Sequence, residues 1–389
     1  MAPGLFSLRR MFIEVADDVL KKALRPSDNE NEEAIECLRH LALAIRHNCH
    51  LVYLPTLDSN ILKEMEIFLN KAEIKAFTFS FAKKNNLRII RQHLTARMEI
   101  SFLSETTKDG DVIKINPGKS NSVDLFERCH LLTENLLDSK FYDSVSFSFQ
   151  KRNRIDECVF GISYYPLQGG GVTIKDVYLM ECGLGRHLCL AILDSDKKWP
   201  NFHGYGDTAT KFEEEYNGYL KRHNESITCT YYVMQNTNEI ENLIPIQILN
   251  HVSSPTQKGF LARHANAIPF FDMKKGFDFK FLYKDNARQE WSVVLPDETD
   301  WKGLEKLKNI SVDDKDFVEK AMNAGVKFET QPWGTNLLDK VVNPEPRKRD
   351  KVNLRKIDFN SMLAAQRTEW DVIGSRMFSW CCCFVNKNF

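Results

Sequence analysis

The chain has 389 residues, 43% hydrophobic and 27% charged, which excludes a disordered or low-complexity protein and supplies enough apolar mass for a large core. Its 53 lysines and arginines balance 53 aspartates and glutamates, so no global field draws it to nucleic acid, and a polyanion site has to be a local patch. No fixed-period repeat and no run of ~18 apolar residues occurs, so no membrane-spanning helix is expected.

Arg9, Arg10 and Glu14 interrupt the first apolar residues, which argues against a secretory signal. Ten cysteines at scattered spacings, without a Cys-x-x-Cys pair, read as reduced thiols rather than a disulfide framework or a structural zinc site, and so as a cytoplasmic protein. Residues 13–50 read as helical, with Ile35, Leu38, Leu41 and Ile45 at spacings of three and four. A short strand at 51–54 is stopped by Pro55, and a helix is expected over 59–70. Alternation predicts strands at 76–81 and 98–103, with turn clusters at 108–111 and 116–119.

Farther along, strands are expected at 147–150, 158–165, 176–180, 188–193 and 227–234, and helices at 208–223 and 239–251. The succession of strand, helix, strand, helix implies a mainly parallel α/β layer flanked by helices. Beyond residue 254 the chain is mixed, then basic over 343–356, then helical in spacing over 361–385, where Trp370, Trp380 and Cys381, Cys382 and Cys383 lie. Three blocks follow: an N-terminal α/β region over 1–120, an α/β core over 121–255, and a mostly helical C-terminal region over 256–389.

The sharpest chemical signal is the apolar run from Leu190 to Leu193, which ends in Asp194, Ser195, Asp196, Lys197 and Lys198 before Pro200. In open α/β sheets, sites form outside the carboxyl ends of strands. Were the strand to continue, Asp194 and Asp196 would share a face. Mg²⁺ takes such oxygen ligands, often one or two carboxylates plus waters and phosphates. Turn chemistry is the plain alternative for the same aspartates. Downstream, Glu239 and Glu241 open an expected helix; two residues apart on a helix, they do not share a face, so only one is expected to aim at Asp194.

Taken together, Asp-Ser-Asp-Lys-Lys-x-Pro after an apolar strand, Gly206-Asp-Thr-Ala, and Asn-Glu-Ile-Glu-Asn-Leu-Ile-Pro resemble the Toprim-like domains of antiphage nucleases, such as those of the overcoming-lysogenization-defect family. The likeness covers about 65 residues, 188–249. It implies a Mg²⁺- or Mn²⁺-dependent nuclease acting on DNA or RNA in antiviral defence. Asp194 and Asp196 would be metal ligands, Glu241 a further acid, and Lys197 or Lys198 the phosphate contact. A protein partner such as an ATPase or sensor subunit is implied, since no ATPase motif is present. The chain departs from this pattern at the acid of an earlier strand. Glu181 stands 13 residues before Asp194, too few for a crossover helix, and Asp58 is an aspartate far upstream.

Two other readings stay open. One is a catalytically inactive module of the same fold that binds nucleic acid or a partner. The other is a restriction-endonuclease-like site built from Glu181, Asp196 and Lys198, with the same metal-assisted chemistry. Weaker signals include Lys274 and Lys275 interleaved with Phe270, Phe271 and Phe277, a pattern suited to backbone contact with base stacking. Arg39, Arg46, His47 and His50 do not fit the Arg-x4-6-His spacing of HEPN-type ribonucleases. Asn116-Pro-Gly-Lys-Ser lacks the upstream glycine of a phosphate loop.

Overall fold

Short strands alternate with helices in the computed structural model, which describes residues 11–25, 29–48, 50–117, 129–197, 204–274, 282–285, 290–293 and 333–385. The protein is mixed α/β, as its strand–helix succession implied, and falls into two compact units. Residues 1–192, 214–232 and 371–389 form the first; residues 193–213 and 233–370 form the second.

The first unit opens with β1 (Phe12–Val15), α1 (Asp17–Ala23), α2 (Asn29–Arg46), β2 (Leu51–Tyr53), α3 (Ser59–Met65), α4 (Lys71–Ala82) and α5 (Lys84–Arg91). Then come β3 (Arg97–Ile100), β4 (Thr107–Asp109) and β5 (Val112–Ile115). They build a sheet of order β2-β1-β3-β5-β4, parallel except for β4 at its edge. A second sheet uses β6 (His130–Thr133), β8 (Tyr165–Gln168), β9 (Cys189–Leu193) and β10 (Cys229–Val233) in the order β10-β9-β6-β8. β6 is parallel to both β8 and β9. Helices α6 (Leu136–Arg152), α7 (Ile174–Leu184) and α8 (Asp207–Leu220) connect its strands, and β7 (Phe160–Ile162) lies outside this sheet.

Three segments expected as strands are helical. Residues 76–81 belong to α4, because Asn70 caps its start: the Asn70 side chain accepts from the Ala72 and Glu73 amides at 2.9 and 3.0 Å, and Glu73 accepts in return from the Asn70 amide at 2.8 Å. That reciprocal cap outweighs the alternating phenylalanines of the segment. Residues 147–150 close α6, whose buried Phe141, Val145 and Phe149 recur every four residues. Residues 176–180 lie in α7, with Ile174, Tyr178 and Cys182 on its buried face at the same spacing. Conversely, the stretch expected as helical over 13–50 begins with β1.

In the second unit, a 3₁₀ turn (Ile240–Leu243) leads into α9 (Ile246–Val252) and α10 (Pro255–His264). A further 3₁₀ segment (Ala265–Phe270) follows, then the antiparallel pair β11 (Leu282–Asp285) and β12 (Glu290–Val293), and then α11 (Leu337–Val342). The long helix α12 (Ala364–Cys381) ends in β13 (Cys382–Phe384), so the helical spacing read over 361–385 stops short of its end. β13 pairs antiparallel with β7. Asn48, in the left-handed backbone that asparagine tolerates (φ 52°), accepts from the Phe384 amide at 3.1 Å and donates to its carbonyl. Phe12, Leu51, Phe149, Phe160, Phe378 and Phe384 share one core, and Cys381, Cys382 and Cys383 are buried like small apolar residues. At Gly374 of α12 a Cβ would stand 2.7 Å from Phe149 Cβ, so only glycine permits this approach to α6. No helix among the described residues is long and apolar enough to cross a membrane.

Candidate metal centre

All five residues of β9 are buried, the continuous apolar run that a covered parallel strand requires. Asp194 is the first polar side chain after it. Backbone bonds stitch this turn to the one that follows β10: the Ser195 and Asp196 amides both donate to the Asn238 carbonyl, at 3.0 and 2.9 Å. Ser195 Oγ, fully buried, donates to the Thr237 carbonyl at 2.5 Å, and Asp194 Oδ1 accepts from the Ile240 amide at 3.0 Å. Asn242 fixes the second turn from inside. Its Oδ1 accepts from the Glu239 amide at 2.9 Å, while its Nδ2 donates to the carbonyls of Ile268 and Phe271.

These two turns bring Asp194, Glu239 and Glu241 together, with one carboxylate oxygen from each within 4.8 Å of the others, near the ~4 Å span of an octahedrally bound divalent cation. Glu239 and Glu241 are buried, and Glu239 Oε1 has no hydrogen-bond partner. Lys274 reaches the pair, its Nζ lying 2.9 Å from Glu239 Oε2 and 3.2 Å from Glu241 Oε2. Three carboxylates thus face one ammonium, and ionising all three leaves an excess of negative charge in a region with little water. A hard divalent cation suits both that charge and the unpartnered Glu239 oxygen.

Burial, reinforced by the neighbouring Glu241 charge, lifts the Glu239 carboxyl from its ordinary value to about 7, and Lys274 does not reverse the shift. For Lys274 burial opposes the charge, yet Glu241, Glu239 and Asp194 hold its ammonium well above the ordinary range. The raised Glu239 value has a definite sign for stability. Between the unfolded value of ~4.3 and about 7 the folded chain binds the extra proton. Its contribution is therefore greatest below ~4.3 and is lost as pH rises through about 7. The loss is of order 4 kcal/mol from this one group. Urea midpoints measured in chelator from pH 4.5 to 7.5 should fall less steeply for Glu239→Gln than for wild type; equal slopes would contradict the assignment.

Of the residues singled out in the sequence, Asp194, Glu241 and Lys274 meet in this cluster. Glu239, which an α-helix over 239–251 would turn away from Glu241, completes it. Asp196 is absent from the group among the described residues: β9 ends at Leu193, and Asp196 takes a left-handed backbone (φ 52°), so strand alternation does not carry to it. Lys197 is held elsewhere, 3.1 Å from Gln235 Oε1 and over the Tyr205 ring, and its pKa is lowered by burial. Glu181 sits on α7 in the first unit, against His130 and His187. Lys198 and Lys275 lie outside the described residues. Compared with protein-family models, with curated proteins and with solved structures, the chain matches none.

Proposed function

We propose that the protein is a Mg²⁺- or Mn²⁺-dependent nuclease that hydrolyses phosphodiester bonds of DNA or RNA. The observation that carries this reading is the convergence of Asp194, Glu239 and Glu241, with the buried Glu239 Oε1 left without a hydrogen-bond partner. These three side chains would hold the cation. When bound, it supplies an activated water and charge stabilisation on the phosphate. Lys274, kept ionised by its acidic neighbours, offers a second positive charge to a phosphate oxygen. The buried polar framework around Asn242 keeps the carboxylates in place without reorganisation.

A second reading is supported by the same lysine. Because Lys274 already pairs with both glutamates, the cluster also suits an inactive module in which the ammonium substitutes for a metal. The two readings separate on one experiment. Plasmid, single-stranded DNA and tRNA are incubated with wild type and with Asp194→Asn/Glu241→Gln, in Mg²⁺, Mn²⁺ or chelator, beside calorimetric titration of each cation. Metal-dependent cutting that disappears in the double variant is the expected outcome. Wild type that binds no divalent cation sinks the nuclease reading and leaves the module.

A further inference from the structure

The first unit holds another group of ligating side chains. His130 is the first residue of β6, Glu181 lies in the last turn of α7, and His187 lies in the link from α7 to β9. That link is short because Gly185 turns the chain in the left-handed conformation (φ 59°), and the register of β6 on β9 sets His130 opposite Cys189. His187 therefore returns beside His130, with ring centroids 4.5 Å apart.

Both imidazoles aim the same nitrogen at one carboxylate oxygen. Glu181 Oε2 is 2.8 Å from His187 Nδ1 and 3.1 Å from His130 Nδ1. Glu181 and His130 are only 3% and 8% exposed. The contact satisfies His187 as a hydrogen bond, but His130 Nδ1 is buried and makes none.

We infer that His130, Glu181 and His187 form a zinc site. Two imidazoles and a carboxylate are the donor set of a borderline cation such as Zn²⁺, whereas the all-oxygen cluster around Asp194 suits a hard one. Ligands ~2.0–2.1 Å from a tetrahedral ion stand ~3.3 Å from one another, so the side chains have to spread only slightly. Three protein ligands leave the fourth position to water, which can arrive on the side of the partly exposed His187. Bound there, the ion ties the start of β6 to the end of α7 and the link into β9.

The test uses the full chain, stripped with a chelator and titrated with Zn²⁺, beside Co²⁺ as a spectroscopic stand-in. Expected are Zn²⁺ uptake that His187→Gln weakens roughly a hundredfold or more, given that losing even an outer partner of a ligand costs ~10–100-fold. Asp194→Asn/Glu241→Gln should leave this uptake in place. In wild type, Co²⁺ should give the intense visible bands of a four- or five-coordinate nitrogen and oxygen site. An unchanged Zn²⁺ affinity in His187→Gln overturns the assignment. So does a sulfur-to-cobalt charge-transfer band, which would place the ion on the buried thiols. The faint spectrum of six oxygen ligands would overturn it too. Because the spectrum is read on wild type, the outcome stands even if the variant does not fold.

Discussion

Lys274→Met is expected to destabilise the protein by about 3 kcal/mol at pH 8, the lower end of what breaking a buried ion pair costs, since a third of the lysine side chain is exposed. Methionine keeps the length of the stem and removes the charge, so the loss reports on the carboxylates left behind. Glu239 and Glu241 would then face Asp194 with no compensating ammonium. Two conditions should restore the variant. At pH 5 the deficit shrinks, because protonating Glu239 removes one of the repelling charges. Added Mg²⁺ should stabilise the variant by RT ln(1 + [L]/Kd), about 2.7 kcal/mol at a hundred times its dissociation constant. Urea denaturation with and without Mg²⁺ at both pH values measures all of this. A loss under 0.5 kcal/mol would mean that water, not Lys274, screens the cluster.

Asn242→Ala should cost about 3–4 kcal/mol, because the side chain is fully buried and each of its bonds ends on a backbone group that has to find another partner. The Phe271 carbonyl loses a donor, the Ile268 carbonyl keeps only a 3.4 Å bond from the Phe271 amide, and the Glu239 amide loses its acceptor. Each such buried group left unsatisfied costs ~1–3 kcal/mol before relaxation. Cation affinity should fall in parallel, since the Glu239 turn loses its anchor. Asn242→Asp would not rescue it: the carboxylate keeps the acceptor, lacks the donors, and adds negative charge beside three others. Chemical denaturation and cation titration on the same preparations check both effects. Full cation affinity in a folded Asn242→Ala would show that the Gln366 and Trp370 contacts to this turn hold the site unaided.

Much of the strand framework was legible because buried parallel strands leave uninterrupted apolar runs, as at Leu190–Leu193. Asp194 was legible for the same reason, an acid abruptly ending such a run. Glu239 was not, because the two-residue spacing to Glu241 was judged by helical geometry. Glu239 has an extended backbone (φ −139°, ψ 172°) ahead of a 3₁₀ turn, so the rule that separates positions i and i+2 on an α-helix does not apply. For Asp196 the expected sharing of a face with Asp194 assumes a strand that ends at Leu193. Lys274 stood out only as part of a basic and aromatic stretch; its pairing with residues 33 and 35 positions earlier has no local signature. The His130, Glu181 and His187 group was hidden by α7, since the expected strand over 176–180 stops short of Glu181 and the two histidines carry no spacing signal.

The pairing of β13 with β7, and of Asn48 with Phe384, bears on how the chain acquires its structure while it is being made. The aromatic core of the first unit needs Phe378 and Phe384 beside Phe12 and Leu51, segments separated by more than 300 positions. At ~5–20 residues per second, roughly 20–70 s pass between the synthesis of one set and the other. Until then Phe12, Leu51 and Phe160 lack part of their cover, and the edge of β7 that β13 occupies is open to strands of other molecules. Nascent chains of this protein should therefore depend on holding factors at the ribosome for most of their translation, and a stop codon placed just before β13 should yield aggregated product.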